Sequence, residues 1–156
     1  MSGLISGEET IAQAATIVKV YDGFRATPYR CEAKRLTIGF GRTSDVKEGD
    51  VTTVEKELDW LEARLEKDLV WLRNKLQPLV LEANQEAALL SLVYNIGQGN
   101  FMKSGVFRYL RNAHNGEKLP LKLMEASWLS WNKIGGKPSK GLTNRRLAEW
   151  DLFTKP

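Results

Sequence analysis

Cysteine and histidine occur once each in these 156 residues, as Cys31 and His114. A lone thiol cannot close a bridge within the chain, so stability does not depend on an oxidising compartment. A lone histidine, in the polar stretch His114-Asn115-Gly116, leaves neither a histidine-rich zinc site nor a histidine-based triad available. Metal-dependent amidase chemistry is excluded on that ground, and no cofactor and no metal are expected. Long apolar runs are also missing. Residues 1–16 carry Glu8 and Glu9 and no basic start, and read as neither a secretory signal nor a membrane anchor. There is no glycine- or serine-rich linker, internal repeat or low-complexity tract, and no heptad seam long enough to demand a coiled-coil partner. One domain over 1–156 and a monomer are expected, with length enough to bury a core.

The net charge of +4 is unevenly placed. Residues 1–100 hold 12 basic and 15 acidic side chains, whereas 101–156 hold 11 basic and 4 acidic. Such a field favours a polyanionic partner: nucleic acid, an acidic membrane or an anionic cell wall. No helix-turn-helix, zinc knuckle or aromatic-basic strand accompanies the charge, so no nucleic-acid partner is expected.

Periodicity organises the rest. Ser6-Gly7-Glu8-Glu9 has capping-box spacing, and Ile11, Ala14, Ala15, Val18 and Tyr21 recur at helical intervals up to Gly23, which predicts a helix delivering Asp22 at its C-terminal end. Between Pro28 and Asp50, the glycines at 39, 41 and 49 with Leu36-Thr37-Ile38 and Phe40 predict short antiparallel strands carrying Cys31 and Thr37. Thr52-Thr53-Val54-Glu55 is a second capping box. Val54, Leu58, Leu61, Leu65, Leu69, Leu72 and Leu76 then step by threes and fours until Pro78, one helix of about 35 Å. From Asn84 onward the pattern is helical throughout, with breaks at Gly97-Gln98-Gly99, Asn115-Gly116 and Gly135-Gly136-Lys137-Pro138. Trp128, Trp131 and Trp150 at helical spacings read as core.

The most informative segment is Tyr21-Asp22-Gly23-Phe24-Arg25, continuing through Tyr29-Arg30-Cys31 to Leu36-Thr37-Ile38-Gly39-Phe40-Gly41-Arg42-Thr43, which sets an acid, a thiol and a hydroxyl at spacings of nine and six residues. It resembles the catalytic segment of the phage-type lysozymes, endolysins of glycoside hydrolase family 24. Their pattern reads roughly Glu-Gly-x-Arg-x-x-x-Tyr, then Asp or Cys, then Thr-Ile-Gly-x-Gly-His-Thr. Two further stretches, Asn84 to Gly97 and Gly141-Leu142-Thr143-Asn144-Arg145-Arg146-Leu147-Ala148-Glu149, are similar to the family's second signature helix and basic C-terminal segment. The chain departs from the pattern twice, with Asp22 in place of glutamate and Arg42 in place of histidine.

The resemblance implies an α+β, lysozyme-like fold, mostly helical. A small β-hairpin lobe (about 20–60) and a larger all-helical lobe (about 61–156 plus the N-terminal helix) are joined by the long helix, with a glycan cleft between them. It also implies a peptidoglycan hydrolase, an N-acetylmuramidase cutting the β-1,4 bond between N-acetylmuramic acid and N-acetylglucosamine. Such an enzyme is made in the host cytoplasm and reaches the wall through a holin-type membrane lesion. The position of Asp22 is that of the general acid, and those of Cys31 and Thr37 hold the attacking water, giving inversion. One of Arg145 and Arg146 is the acid's ion-pair partner, with Arg145 favoured, and Asn95 lies in a loop near the cleft. Arg42 is read as a structural ion-pair residue.

Taken alone, these residues have plainer readings. Asp22 is a helix-end acid, Cys31 a small buried residue, Thr37 a strand former, Asn95 part of a C-cap, and Arg145 and Arg146 solvated charges. Aspartate is one methylene shorter than glutamate, and a misplacement of about 1 Å can cost about a hundredfold in rate. A lysozyme-like protein that binds peptidoglycan without cutting it is therefore the competing reading. A lytic transglycosylase is the third, distinguished by an anhydro product.

Overall fold

The computed structural model describes residues 2–31, 34–113 and 118–156. In chain order the elements are α1 (Ser2–Asp22), β1 (Arg25–Arg30), β2 (Leu36–Gly39), α2 (Val54–Leu76), α3 (Ala83–Ile96), α4 (Gln98–Lys103), α5 (Gly105–Asn112), α6 (Leu121–Leu129), β3 (Lys133–Ile134), β4 (Lys137–Pro138) and α7 (Lys140–Phe153). The architecture is mostly helical with two small antiparallel sheets. No helix among the described residues is long and apolar enough to cross a membrane.

Helix α3 is the centre of the packing. Ala87 through Val93 are buried without interruption, because α1 and α7 cover two of its sides and α2 a third. The apolar residues of all seven helices join Phe40 in one cluster. Trp128, Trp150 and Phe153 pack ring to ring within it, at centroid distances of 5.2–5.6 Å.

Helix α1 begins at Ser2, not at the predicted capping box. Its backbone runs on through Gly7 without a break, so the local start signal does not set the helix's beginning. Helix α2 has the predicted length, but its N-cap is Thr53, whose hydroxyl accepts from the Lys56 amide. Thr52, the predicted cap, donates instead to the buried Glu57 carboxylate at 2.6 Å, a charge-assisted bond. The expected all-helical second lobe is corrected by the β3–β4 hairpin. Gly135 and Gly136 both take positive φ there (57° and 81°), the turn that two paired strands need. The predicted break around Gly97 is narrower than expected, since Gln98 and Gly99 belong to α4. His114 and the Asn115-Gly116 break lie outside the described residues.

The β1–β2 hairpin is fastened to α2 by one ion pair. Arg42 donates from Nε and Nη2 to the two Glu57 oxygens at 2.8 and 3.0 Å, and from Nη1 to the Ser44 carbonyl at 2.7 Å. Burial pushes the Glu57 carboxyl up, but the hydrogen bonds from Arg42 and Thr52 outweigh it and hold it below the usual carboxylate range. Gly39 makes room for this pair: its φ is +64°, and a Cβ there would overlap the Glu57 side chain. Gly39→Ala is therefore expected to destabilise by about 2–4 kcal/mol through backbone strain and overpacking together. Gly49→Ala, at φ +90° with open space around it, bears the strain alone and should cost about half as much. Urea unfolding of both variants checks the difference.

Candidate active site

Helix α1 ends at Asp22 because Gly23 turns left-handed (φ 63°) and returns its amide to the Lys19 carbonyl at 3.1 Å. The carboxyl is thereby set at the edge of a cleft of about 1230 Å³. One wall comes from β1, β2 and their turn, with Tyr29, Cys31, Lys34, Arg35 and Thr37. The other comes from the β3–β4 hairpin and α7, with Trp131, Lys133, Ile134 and Arg145. Trp60 and Arg64 of α2 and Tyr94 and Asn95 of α3 complete the lining. Asp22, Cys31, Thr37, Asn95 and Arg145 thus all line one cleft, although 123 residues separate the first from the last.

Asp22 is tied by its Oδ2, which accepts from Nη1 of Arg145 at 3.0 Å. Arg145 is 2% exposed and commits its other donors inward, Nε to Glu149 at 3.3 Å and Nη2 to the Ser91 carbonyl at 3.3 Å. Glu149 is wholly buried and accepts from Ser91 Oγ at 2.5 Å, Trp128 Nε1 at 3.0 Å and Arg146 Nη2 at 2.9 Å. Arg146 is buried too and turns away from the acid, its Nη1 donating to the Trp131 carbonyl at 3.1 Å. Neither arginine is a solvated surface charge.

Burial pushes the Asp22 carboxyl above the usual aspartate range; the charge and hydrogen bond of Arg145 pull it back without cancelling the rise, and Glu149 adds to the rise. Its place at the negative end of the α1 dipole acts in the same direction. Gly41 fits against this carboxyl: at φ +95°, a Cβ there would stand 3.1 Å from Asp22 Oδ1.

Thr37 lies opposite Tyr29 across the hairpin and is 3% exposed. Its hydroxyl donates to the Arg35 carbonyl at 2.8 Å, which leaves the oxygen's lone pairs to accept from a water. Cys31, just past β1, is held by its backbone, amide to Arg35 carbonyl at 3.0 Å and carbonyl to Lys34 amide at 2.7 Å. Asn95 is exposed in the last turn of α3 and makes no hydrogen bond to Asp22. Among the described residues no group of three or more histidine, cysteine or acidic side chains is arranged to hold a metal ion.

Four residues that sequence reasoning passed over belong to the lining. Trp131, assigned to the core, packs against it and also faces the cleft, because α6 has ended two residues earlier. Tyr94 donates to the Phe40 carbonyl at 2.9 Å, joining α3 to the β2 turn. Arg64 stacks over the Tyr94 ring at 5.6 Å, and Trp60 meets the same ring edge-on. Tyr94 adjoins Asn95, and the Gly135-Gly136 pair is a hairpin signal, so both were within reach of the sequence.

The raised Asp22 value fixes the sign of a stability effect. An acid whose folded value lies above its unfolded one stabilises the fold only while protonated, and stability falls as pH rises from about 3.9 through the folded value. Asp22→Asn removes that titration while Glu149 still holds Arg145. It is expected to melt higher than the parent chain at pH 7, by about 2–4 °C for each kcal/mol relieved, with the gap closing at pH 3. Thermal melts at both pH values check this, and a lower melting point for Asp22→Asn at pH 7 contradicts it.

The Phage lysozyme family model matches residues 19–149. An endolysin of Acyrthosiphon pisum secondary endosymbiont phage 1 is 34% identical over 145 residues, covering 88% of this chain and 92% of that protein. An endolysin of Bacillus phage PZA is 33% identical over 147 residues, 92% of this chain and 54% of that protein, so the chain spans about half of that relative's length. The solved muramidase domain of SpmX from Asticaccaulis excentricus superposes with a TM-score of 0.75 at 27% identity, covering 92% of this chain and 95% of that one. The acid, its buried arginine partner and the cleft around them accordingly lie on a chain that belongs to the phage lysozyme family.

Proposed function

We propose that this protein is a peptidoglycan hydrolase, an endolysin-type N-acetylmuramidase that cuts the β-1,4 bond between N-acetylmuramic acid and N-acetylglucosamine with Asp22 as its general acid. The observation that carries the reading is the Asp22 carboxyl, held above the aspartate range by burial yet hydrogen-bonded to Arg145, in a cleft shared with Cys31 and Thr37. Names of similar proteins, endolysin and muramidase domain, support the substrate class. The wall is the site of action, and release from the host cytoplasm by a holin-type lesion fits an enzyme of this kind.

Asp22 enters the reaction protonated and gives its proton to the glycosidic oxygen as the bond to the anomeric carbon breaks. A water held by the Thr37 oxygen and the Cys31 thiol adds to that carbon from the opposite face and releases its proton to solvent, which inverts the configuration. Asp22 is left ionised beside Arg145, whose Nη1 already holds its oxygen, and regains a proton from solvent. Arg145 positions the acid. Asn95, exposed on the same cleft, binds the glycan.

Digestion of purified peptidoglycan tests the assignment, with turbidity and product mass followed together. The parent chain should release hydrated, reducing muropeptides. Asp22→Ala should lose about a hundredfold or more, and Asp22→Glu, which extends the carboxyl by a methylene, should cut faster than the parent. Full lysis by Asp22→Ala moves the acid elsewhere. Anhydro products make the enzyme a transglycosylase, and lysis by Asp22→Glu alone makes the natural chain a binding protein.

A further inference from the structure

The acid and water chemistry leaves several cations of the cleft unexplained, and one of them is held in place. Arg64, on α2, is restrained at two points. Its Nε donates to Asp68 Oδ2 at 3.3 Å, one helical turn on, and its guanidinium lies over the Tyr94 ring. Asp68 is 1% exposed and accepts on its other oxygen from Gln98 Nε2 at 3.0 Å, so a fully buried carboxylate linking α2 to α4 fixes where Arg64 stands. Among the described residues, no group accepts from either Nη of Arg64. The guanidinium is held by its inner edge and presents its outer edge to the cleft.

The surroundings favour an anion at that edge. Arg145 has its donors committed to Asp22, Glu149 and Ser91, whereas Lys34, Arg35 and Lys133 are exposed around the same cleft. Asp22 is the one carboxylate among the described lining residues, and Arg145 already pairs it. An entering anion therefore meets a net positive field, in which Asp68 is buried behind Arg64 and Asp22 is already paired. An N-acetylated glycan offers hydroxyls and amides but no charge. The charged groups nearest it in the wall are the carboxylates of the stem peptides borne by muramic acid. A planar guanidinium with both Nη free matches a carboxylate in two-point geometry.

We propose that Arg64 binds a stem-peptide carboxylate, so that the cleft distinguishes peptidoglycan with free stem-peptide carboxylates from peptidoglycan in which they are amidated. This rests on the hydrolase reading for its substrate, but it concerns binding and is tested without turnover.

The test uses Asp22→Asn as a non-cleaving background. Dissociation constants are measured by calorimetry for three soluble glycan fragments: one with free stem-peptide carboxylates, one chemically amidated, and one stripped of peptide so that the lactyl carboxylate is bare. The expected result is about tenfold tighter binding of the free than of the amidated fragment, the range of one charge-assisted contact at a half-exposed site. Adding Arg64→Gln should abolish that preference while leaving the amidated fragment's affinity unchanged, and Arg64→Lys should keep part of it. Asp68→Asn, with Arg64 intact but less restrained, should also keep only part. Equal binding of free and amidated fragments in the Asp22→Asn background overturns the proposal, as does an equal loss for both on Arg64→Gln. Tight, Arg64-dependent binding of the stripped fragment shows that the lactyl carboxylate is read and rejects the stem-peptide assignment. Lysis by the parent chain is scored separately: a parent that binds with this preference but does not cleave refutes the hydrolase and upholds the carboxylate site.

Discussion

Glu149 is a carboxylate at zero exposure, and the cleft depends on the way its charge is met. Left unpaired it would cost several kcal/mol to bury. Here it accepts from Ser91 on α3, Trp128 on α6, and Arg145 and Arg146 on α7. The donors bring α3 and α6 to the same point on α7. Buried ion pairs are weak arguments for stability but strong constraints on geometry, because their partners have few arrangements in which every donor is used. Arg145 is held in this way from behind, and only its Nη1 is left to reach α1 and Asp22. Arg146 extends the network to the carbonyl of Trp131, so one cleft wall is set by the same carboxylate.

The arrangement bears on the role proposed for Asp22, which as a general acid has to hold a proton and then stand as an anion. Two arginines and Glu149 leave a single surplus positive charge, and Arg145 divides its donors between Glu149 and Asp22. That sharing is too weak to overcome the desolvation of Asp22, so the acid holds its proton above the ordinary range. The surplus charge is still present when the proton has gone, and the anion is formed beside it. A dedicated arginine would have held the carboxylate ionised from the start, and an apolar pocket would have trapped it neutral.

Helix positions and the long stripe of α2 were legible because burial on one face imposes a period of three and four on the sequence, and Leu61 to Leu76 obey it. The fold class was legible only through the resemblance that three stretches of the chain carry. What the sequence hid depends on distant partners. Thr52 and Thr53 are equivalent as helix starters until the buried Glu57 claims the first. Trp131 shares a helical spacing with Trp128, but α6 ends between them and the second ring turns toward the cleft. Arg64 looks like one of many charges on an exposed helix face. Only the burial of Asp68 beside it, and Gln98 reaching across from α4, set it apart.

The segment Ile38-Gly39-Phe40-Gly41-Arg42 shows how a local pattern carries a long-range constraint. Ile38 and Phe40 point into the protein, at 0% and 6% exposure, as alternate strand residues do. The two glycines between and after them each lie against a carboxylate, Gly39 against Glu57 and Gly41 against Asp22. A side chain at Gly39 would overlap the Glu57 carboxylate, and one at Gly41 would crowd that of Asp22. The first carboxylate anchors the hairpin to α2 through Arg42; the second is the acid itself. Tyr94 closes the circuit by donating to the Phe40 carbonyl, so the short turn is fixed from α3 as well. Gly41, which faces Asp22, is followed directly by Arg42, whose guanidinium is held by Glu57 of α2. The Arg42–Glu57 ion pair therefore anchors the segment that lies against Asp22.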